Sequence, residues 1–219
     1  MQDGKTEKLC KLISRIHPHI KELLVVGCGR GIEAAILAQV LDAKVTGIDV
    51  LDDFDPEAST LADLATGDAT ALAFDDASFD FVYSYHALEH IDRPKRALAE
   101  IARVLKPDGG YWIGTPNRSR LIGYIGSKSA STAEKIRWNL TDWRARLTGR
   151  FRNEYGAHAG FTRRELGALL REALAEPRDE SLSYYELIYP AHSRTLAMLS
   201  KTGLDNILYP SVYFSGRGQ

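Results

Sequence analysis

Three glycines at alternate positions, Gly27, Gly29 and Gly31, follow the apolar run LLVV and open a helical pattern, and the next apolar run ends on Asp49. Glycine lets the backbone turn sharply and approach a ligand closely. The helix behind the glycines presents free N–H groups at its first turn. A carboxylate at the tip of the second strand can accept hydrogen bonds from both hydroxyls of a ribose. Together these groups predict a pocket for a nucleoside cofactor. A second reactive group lies in YHALEHI, which holds His86, Glu89 and His90, and a further imidazole, His158, lies in GAHAGFT. Imidazole takes up a proton near neutral pH, so His86, His90 and His158 are each candidate general bases, with a hydrogen-bonded scaffold role as the alternative.

Apolar spacing gives the elements that must position these groups. Residues 5–16 carry a helical stripe of Leu9, Leu12, Ile13 and Ile16, ended by His17-Pro18. Strands over 23–26 and 44–48 flank a helix over 32–41. Residues 51–64 read as an acidic loop with a weak helix, and a short strand is expected at the start of 68–74. Residues 79–84 read as a buried strand, 93–105 as a helix capped by Asp92 with Pro94 in its first turn, and 111–115 as the next strand. Thr162 and Glu165 form a capping box for a helix over 162–174, with Phe161 and Leu166 at the staple positions. The chain then reads as strand 183–188, helix 191–201 and strand 211–215. Such alternation predicts a mostly parallel sheet wound on both faces, with ligands beyond the carboxyl ends of its strands.

The glycine spacing is not that of a dinucleotide fingerprint, whose last small position would fall on Ile32. In order along the chain stand GCGRG, GID ending at Asp49, GDA at 67–69, FDFVYSYHALEHI at 79–91 and RVLKPDGGYWIGTPN at 103–117. These parts resemble the class I S-adenosylmethionine (SAM) methyltransferases, in their small-molecule group. The resemblance is strong over 23–117 and loose from 161 onward. It implies a Rossmann-like, seven-stranded, mostly parallel α/β sheet with helices on both faces and the last strand antiparallel. It also implies SAM as cofactor, wrapped by Gly27, Cys28, Gly29 and Gly31. Asp49 would hold the ribose and Val50 would lie against the adenine. Asp68 and the Ala69 N–H would face the adenine edge, and Tyr85 would line the methionine end. The chain departs from the family pattern at Val25, where an acidic residue is usual; a buried strand residue is the plain reading of that position. The expected reaction is methyl transfer to a small-molecule or lipid-like acceptor, O-methylation ahead of N- or C-methylation. A non-catalytic SAM-fold binding subunit is the rival from another class.

Composition fits one globular domain over 1–219: 44% of residues are hydrophobic, 26% charged, and the formal net charge is −1. Near-neutral charge argues against bulk nucleic-acid binding. Cys10 and Cys28 offer neither a disulfide framework nor metal-ligand spacing, so no metal is expected. The N-terminus lacks the apolar core of a signal peptide, which makes the cytoplasm the expected compartment. Residues 118–157 are too long for a plain connection and predict a helical lid or substrate insert after the fifth strand. Its cations, among them Arg118, Arg120, Lys128 and Arg146, outnumber its acids, and Tyr124, Trp138, Trp143, Phe151 and Tyr155 are interleaved. That composition suits an anionic acceptor, peripheral contact with a membrane, or a solvated basic face.

Overall fold

The computed structural model describes residues 4–124, 130–155 and 158–218, with the Tyr155 side chain left out. Lys128 and the Tyr155 ring therefore lie outside the described residues. The strands are β1 (Glu22–Val26), β2 (Lys44–Asp49), β3 (Asp63–Thr66), β4 (Phe79–Tyr85), β5 (Leu105–Pro116), β6 (Ala175–Asp179) and β7 (Ser211–Arg217). They form one sheet in the order β3-β2-β1-β4-β5-β7-β6. β7 runs antiparallel to both of its neighbours and the other pairings are parallel. The eight α-helices among the described residues are α1 (Gly4–Ile16), α2 (Ile32–Leu41), α3 (Pro94–Val104), α4 (Thr132–Leu147), α5 (Arg163–Ala173), α6 (Ser181–Ile188), α7 (Ser193–Lys201) and α8 (Asp205–Leu208).

Strand alternation sorts the core into two layers. Leu24, Val26, Val82 and Ile113 face α3 and α5, while Leu23, Val25, Phe81, Tyr83 and Trp112 face α1, α2 and α6. Val25 is 1% exposed and registers against Gly47 and Tyr83, so this position serves the core. Chain order reverses between β1 and β4. That is the switch point at which open α/β sheets bind ligands, and the loops leaving these two strands carry Gly27 and His86.

Three sequence expectations need correction. The third strand is Asp63–Thr66, ahead of the GDA turn and not within 68–74. Residues 183–188 are helical, within α6, and the strand between α5 and α6 is Ala175–Asp179. Tyrosine favours strands, but Tyr184, Tyr185 and Ile188 also fit one helix face. Packing of that face into the layer with Tyr209 and Tyr213 decides the matter. Asp92 does not cap α3, whose N-cap is Arg93 with no side-chain cap bond. The Thr162–Glu165 capping box forms as expected. A second one, Ser131 with Glu134, starts α4 in the insert.

Candidate functional site

Two cavities open at the carboxyl ends of the parallel strands, and His86 lines both. The first, about 560 Å³, is lined by Gly27, Gly29, Asp49, Val50, Asp68 and Ala69, and beyond the switch point by His86, Ala87, His90 and Arg93. The alternate glycines divide the work. Gly31 has φ +82 and a side chain there would run into Leu64, so it seats α2 against β3. Gly29 has φ +53, and a Cβ added to it would meet nothing within 4 Å. It leaves the cavity floor to bare backbone. The Gly29 N–H donates to Asp49 Oδ2 at 2.8 Å and the Leu51 N–H to Oδ1 at 3.2 Å, which fixes the carboxylate at the rim. Val50 is 74% exposed, an apolar surface presented to the cavity. Asp68 is exposed at the rim; bonds from Thr70 hold its carboxyl below the usual carboxylate range.

Not every expected residue faces this cavity. Cys28 is buried beside Gly47, its thiol pushed up to about 12 by burial, and neither it nor Gly31 is among the lining residues. Tyr85 is likewise not among the lining residues of the first cavity. Its ring lies on the wall of the second cavity, because alternation at the end of β4 points it toward Tyr213.

The second cavity, about 660 Å³, has tyrosine walls: Tyr85, Tyr184, Tyr185, Tyr189, Tyr209 and Tyr213 surround it, with Tyr124 from the insert. Tyr85 Oη lies 3.3 Å from Tyr184 Oη and 3.4 Å from Tyr213 Oη. Burial lifts the phenols of Tyr85 and Tyr213 well above the usual range, so this polar cluster stays neutral. Tyr185 Oη accepts from the Ser211 N–H at 2.9 Å.

At the junction, His86 has a left-handed backbone, φ 55, and its N–H donates to Gly114 O at 2.8 Å. Such a conformation is uncommon outside glycine and tends to mark functional positions. His86 Nε2 lies 3.1 Å from Ser211 Oγ, and Nδ1 lies 3.9 Å from Glu89 Oε1. The same Glu89 oxygen is 3.9 Å from His90 Nε2, and the His90 ring meets His158 edge-on at 4.8 Å. The exposed third of His86 (35%) opens into the two cavities, and protein surrounds the rest. Burial, then the charge of Arg120, pushes its pKa down to about 3. Glu89 is buried with both carboxyl oxygens lacking a hydrogen-bond partner, and burial pushes it up to about 7. His90 lines the first cavity and His158 the second.

The insert's cations serve structure more than the cavity. Arg120, 4% exposed at its side chain, bonds Asp142 at 3.1 Å and the carbonyls of Asn117, His158 and Ala159. Arg118 pairs with Glu165, and Arg146 lies over Phe151. Sequence reasoning missed Ser211 and most of the tyrosine wall. The readable signal was YYELIY at 184–189, which a helical reading would have turned into one aromatic face.

A family model described as a methyltransferase domain matches residues 24–113. An O-methyltransferase of Aspergillus nomiae is 36% identical over 113 residues, 47% of this chain and 50% of that protein. A fatty-acid O-methyltransferase of Mycolicibacterium smegmatis is 39% identical over 106 residues, 46% of this chain and 38% of that protein. The chain thus spans about half the length, or less, of the curated relatives it matches. Among solved structures, the cyclase SpnF superposes with TM-score 0.59 at 21% identity, covering 96% of this chain and 80% of that one. That last likeness is one of fold. The family match ends at Ile113, before the insert and most of the tyrosine wall.

Proposed function

We propose that this chain is a class I S-adenosylmethionine-dependent methyltransferase of the small-molecule type, a reading supported by the methyltransferase-domain match over residues 24–113, and that it moves a methyl group from SAM to a hydroxyl oxygen of an apolar, lipid-like small molecule. The observation that carries this reading is the meeting of two cavities at one imidazole. One is floored by backbone and carboxylate, the other walled by tyrosines.

The first cavity fits the cofactor. Gly29 leaves open space where any side chain would intrude, and Asp49 is pinned with lone pairs to spare for ribose hydroxyls. Val50 supplies an apolar surface for adenine, and Asp68 with Ala69 supplies its polar edge. Bound there, SAM supplies a sulfonium methyl open to in-line displacement. The tyrosine wall orients the acceptor and excludes water, and such positioning supplies much of the acceleration for a transfer of this kind.

His86 takes the acceptor's proton. Burial keeps the ring neutral at physiological pH and also makes its imidazolium costly, so proton uptake depends on the carboxyl of Glu89 beside it. As the acceptor O–H breaks, the proton goes to Nε2, directly or through Ser211 Oγ. The freed oxygen pair would be the nucleophile toward the methyl group that SAM would supply, with the C–S bonding electrons leaving on the sulfur. Ionised Glu89, on the Nδ1 side, lowers the cost of the imidazolium. His90 and His158 are the rival bases. The test replaces His86, His90 and His158 singly by Ala and measures turnover and SAM binding separately. We expect His86→Ala to lower kcat about 100-fold with SAM affinity within about threefold. Unchanged turnover would remove His86 from the mechanism. A carboxylate acceptor needs no base and would make the variant indifferent, so phenols, alkyl alcohols and fatty acids belong in the same assay.

A further inference from the structure

Neither cavity uses the outer face of α4. One side of this helix is tied to the preceding segment: Asn139 bonds Gly123, Asp142 bonds Arg120 and Tyr124, and Arg146 bonds the Arg120 carbonyl. About a quarter-turn away, Ile136, Leu140, Trp143 and Leu147 are 57%, 56%, 45% and 90% exposed. Their spacing puts all four on one stripe. Leu121 and Ile122 add further exposed apolar surface at 48% and 46%. The Trp143 indole N–H donates to Leu121 O at 2.7 Å, so the indole is held against that loop.

Charge says what covers the stripe. Arg137 and Arg144 each follow a stripe residue by one position, so both lie along the same flank, and both are exposed. Two of the insert's acids are already engaged: Glu134 closes the Ser131 capping box and Asp142 holds Arg120. The whole chain has formal charge −1, so this cation density is local. No helix among the described residues is long and apolar enough to cross a membrane. An apolar stripe with tryptophan beside an arginine row is the make-up of a helix that lies in the plane of an anionic lipid surface. A second copy of the chain suits it less well, because an antiparallel two-fold contact through the stripe would bring the two arginine rows together.

We propose that the outer face of α4, through Ile136, Leu140, Trp143 and Leu147 flanked by Arg137 and Arg144, docks the protein on an anionic lipid bilayer. The docking rests on the proposed function only for its purpose: Arg120 and Tyr124 of the same insert line the tyrosine cavity, and Tyr124 packs on Trp138 of α4 at 5.1 Å. A lipid-like acceptor would then pass from the bilayer to a cavity beside it.

Co-sedimentation of the whole chain with vesicles, without cofactor or acceptor, tests this apart from catalysis. The vesicles are phosphatidylcholine alone, or phosphatidylcholine with about a third phosphatidylglycerol. The expected result is binding to the anionic vesicles, at least tenfold weaker to neutral ones and weakened by high salt. L140E/L147E should lose that binding at least tenfold while its thermal unfolding and SAM affinity stay as in the parent. R137E/R144E should erase the preference for anionic vesicles. Undiminished binding by L140E/L147E, or no binding by the parent, overturns the proposal. So does a concentration-dependent dimer that L140E/L147E abolishes, which would make the stripe a self-association face. Vesicle binding without methyl transfer would retain the docking and reject the proposed function; methyl transfer without vesicle binding would do the reverse.

Discussion

The two cavities are similar in size, about 560 and 660 Å³, and are built in opposite ways. The glycine-loop cavity takes its lining from the loops that leave β1, β2, β3 and β4, and its main groups are backbone amides and short carboxylates. The tyrosine cavity gathers side chains from α1, the end of β4, the insert, α6, α7 and β7. A site made of strand-end loops changes little when side chains vary elsewhere. A site made of rings from distant elements can be remodelled by any of them. The family match covers the first construction and stops before most of the second. On the proposed function, methyl donation falls to this shared frame and acceptor choice to this chain's own packing.

The sharpest way to break that division is to loosen the acceptor side alone. Arg120→Ala leaves Asp142 buried without its cation and should cost about 3–5 kcal/mol. Urea unfolding would read this loss, and SAM titrated into the folded variant should bind with near-parent affinity. Loss of SAM affinity would mean the two regions are not separable. The complementary change is Asp49→Ala, which removes the acceptor of the Gly29 and Leu51 N–H groups. SAM affinity should fall about 100-fold, near 2.7 kcal/mol, as measured by calorimetry, with acceptor KM little changed.

Glu89→Gln tests the junction. In the unfolded chain this carboxyl ionises near 4.5, in the folded one near 7. The folded state therefore holds the extra proton between those values, and stability falls as pH rises through that window. The variant should be more stable than the parent at pH 8 by about 2–3 kcal/mol and equal to it at pH 4. His86 runs the opposite way, from about 3 to 6.5, but it cancels in the comparison of variant with parent. Turnover of the parent should rise as pH passes through about 7, when Glu89 ionises; the variant's profile should be flat there and lower. The smallest effect belongs to Tyr185→Phe. It leaves the buried Ser211 N–H without its acceptor and should cost about 1–2 kcal/mol by thermal melt, with a change in acceptor KM but none in SAM affinity.

What could be read from the sequence follows the same division. Gly27, Gly29, Gly31 and Asp49 were legible because a strand, a tight turn and a helix N-terminus are contiguous, and each residue type has one physical reason to stand there. The capping box at Thr162 was legible for the same reason, and the one at Ser131 carried the same signal. Tyr85 shares the face of Tyr83 by strand alternation, but that this face is a tyrosine-walled cavity depends on Tyr213 across the sheet. The misread strand at 183–188 concealed the tyrosine wall, since Tyr184 and Tyr185 share a face only on a helix.

By itself the sequence determined the layered sheet, the glycine bend and the carboxylate at its rim, because local backbone geometry and apolar periodicity dictate these over short spans. The tertiary structure decided the rest. It brought Ser211 to His86, left Glu89 buried without a hydrogen bond between two histidines, closed seven tyrosines around one cavity and turned an apolar stripe of α4 outward. Those arrangements depend on how remote segments pack, and no short stretch of residues encodes which distant ring or carboxylate will be its neighbour.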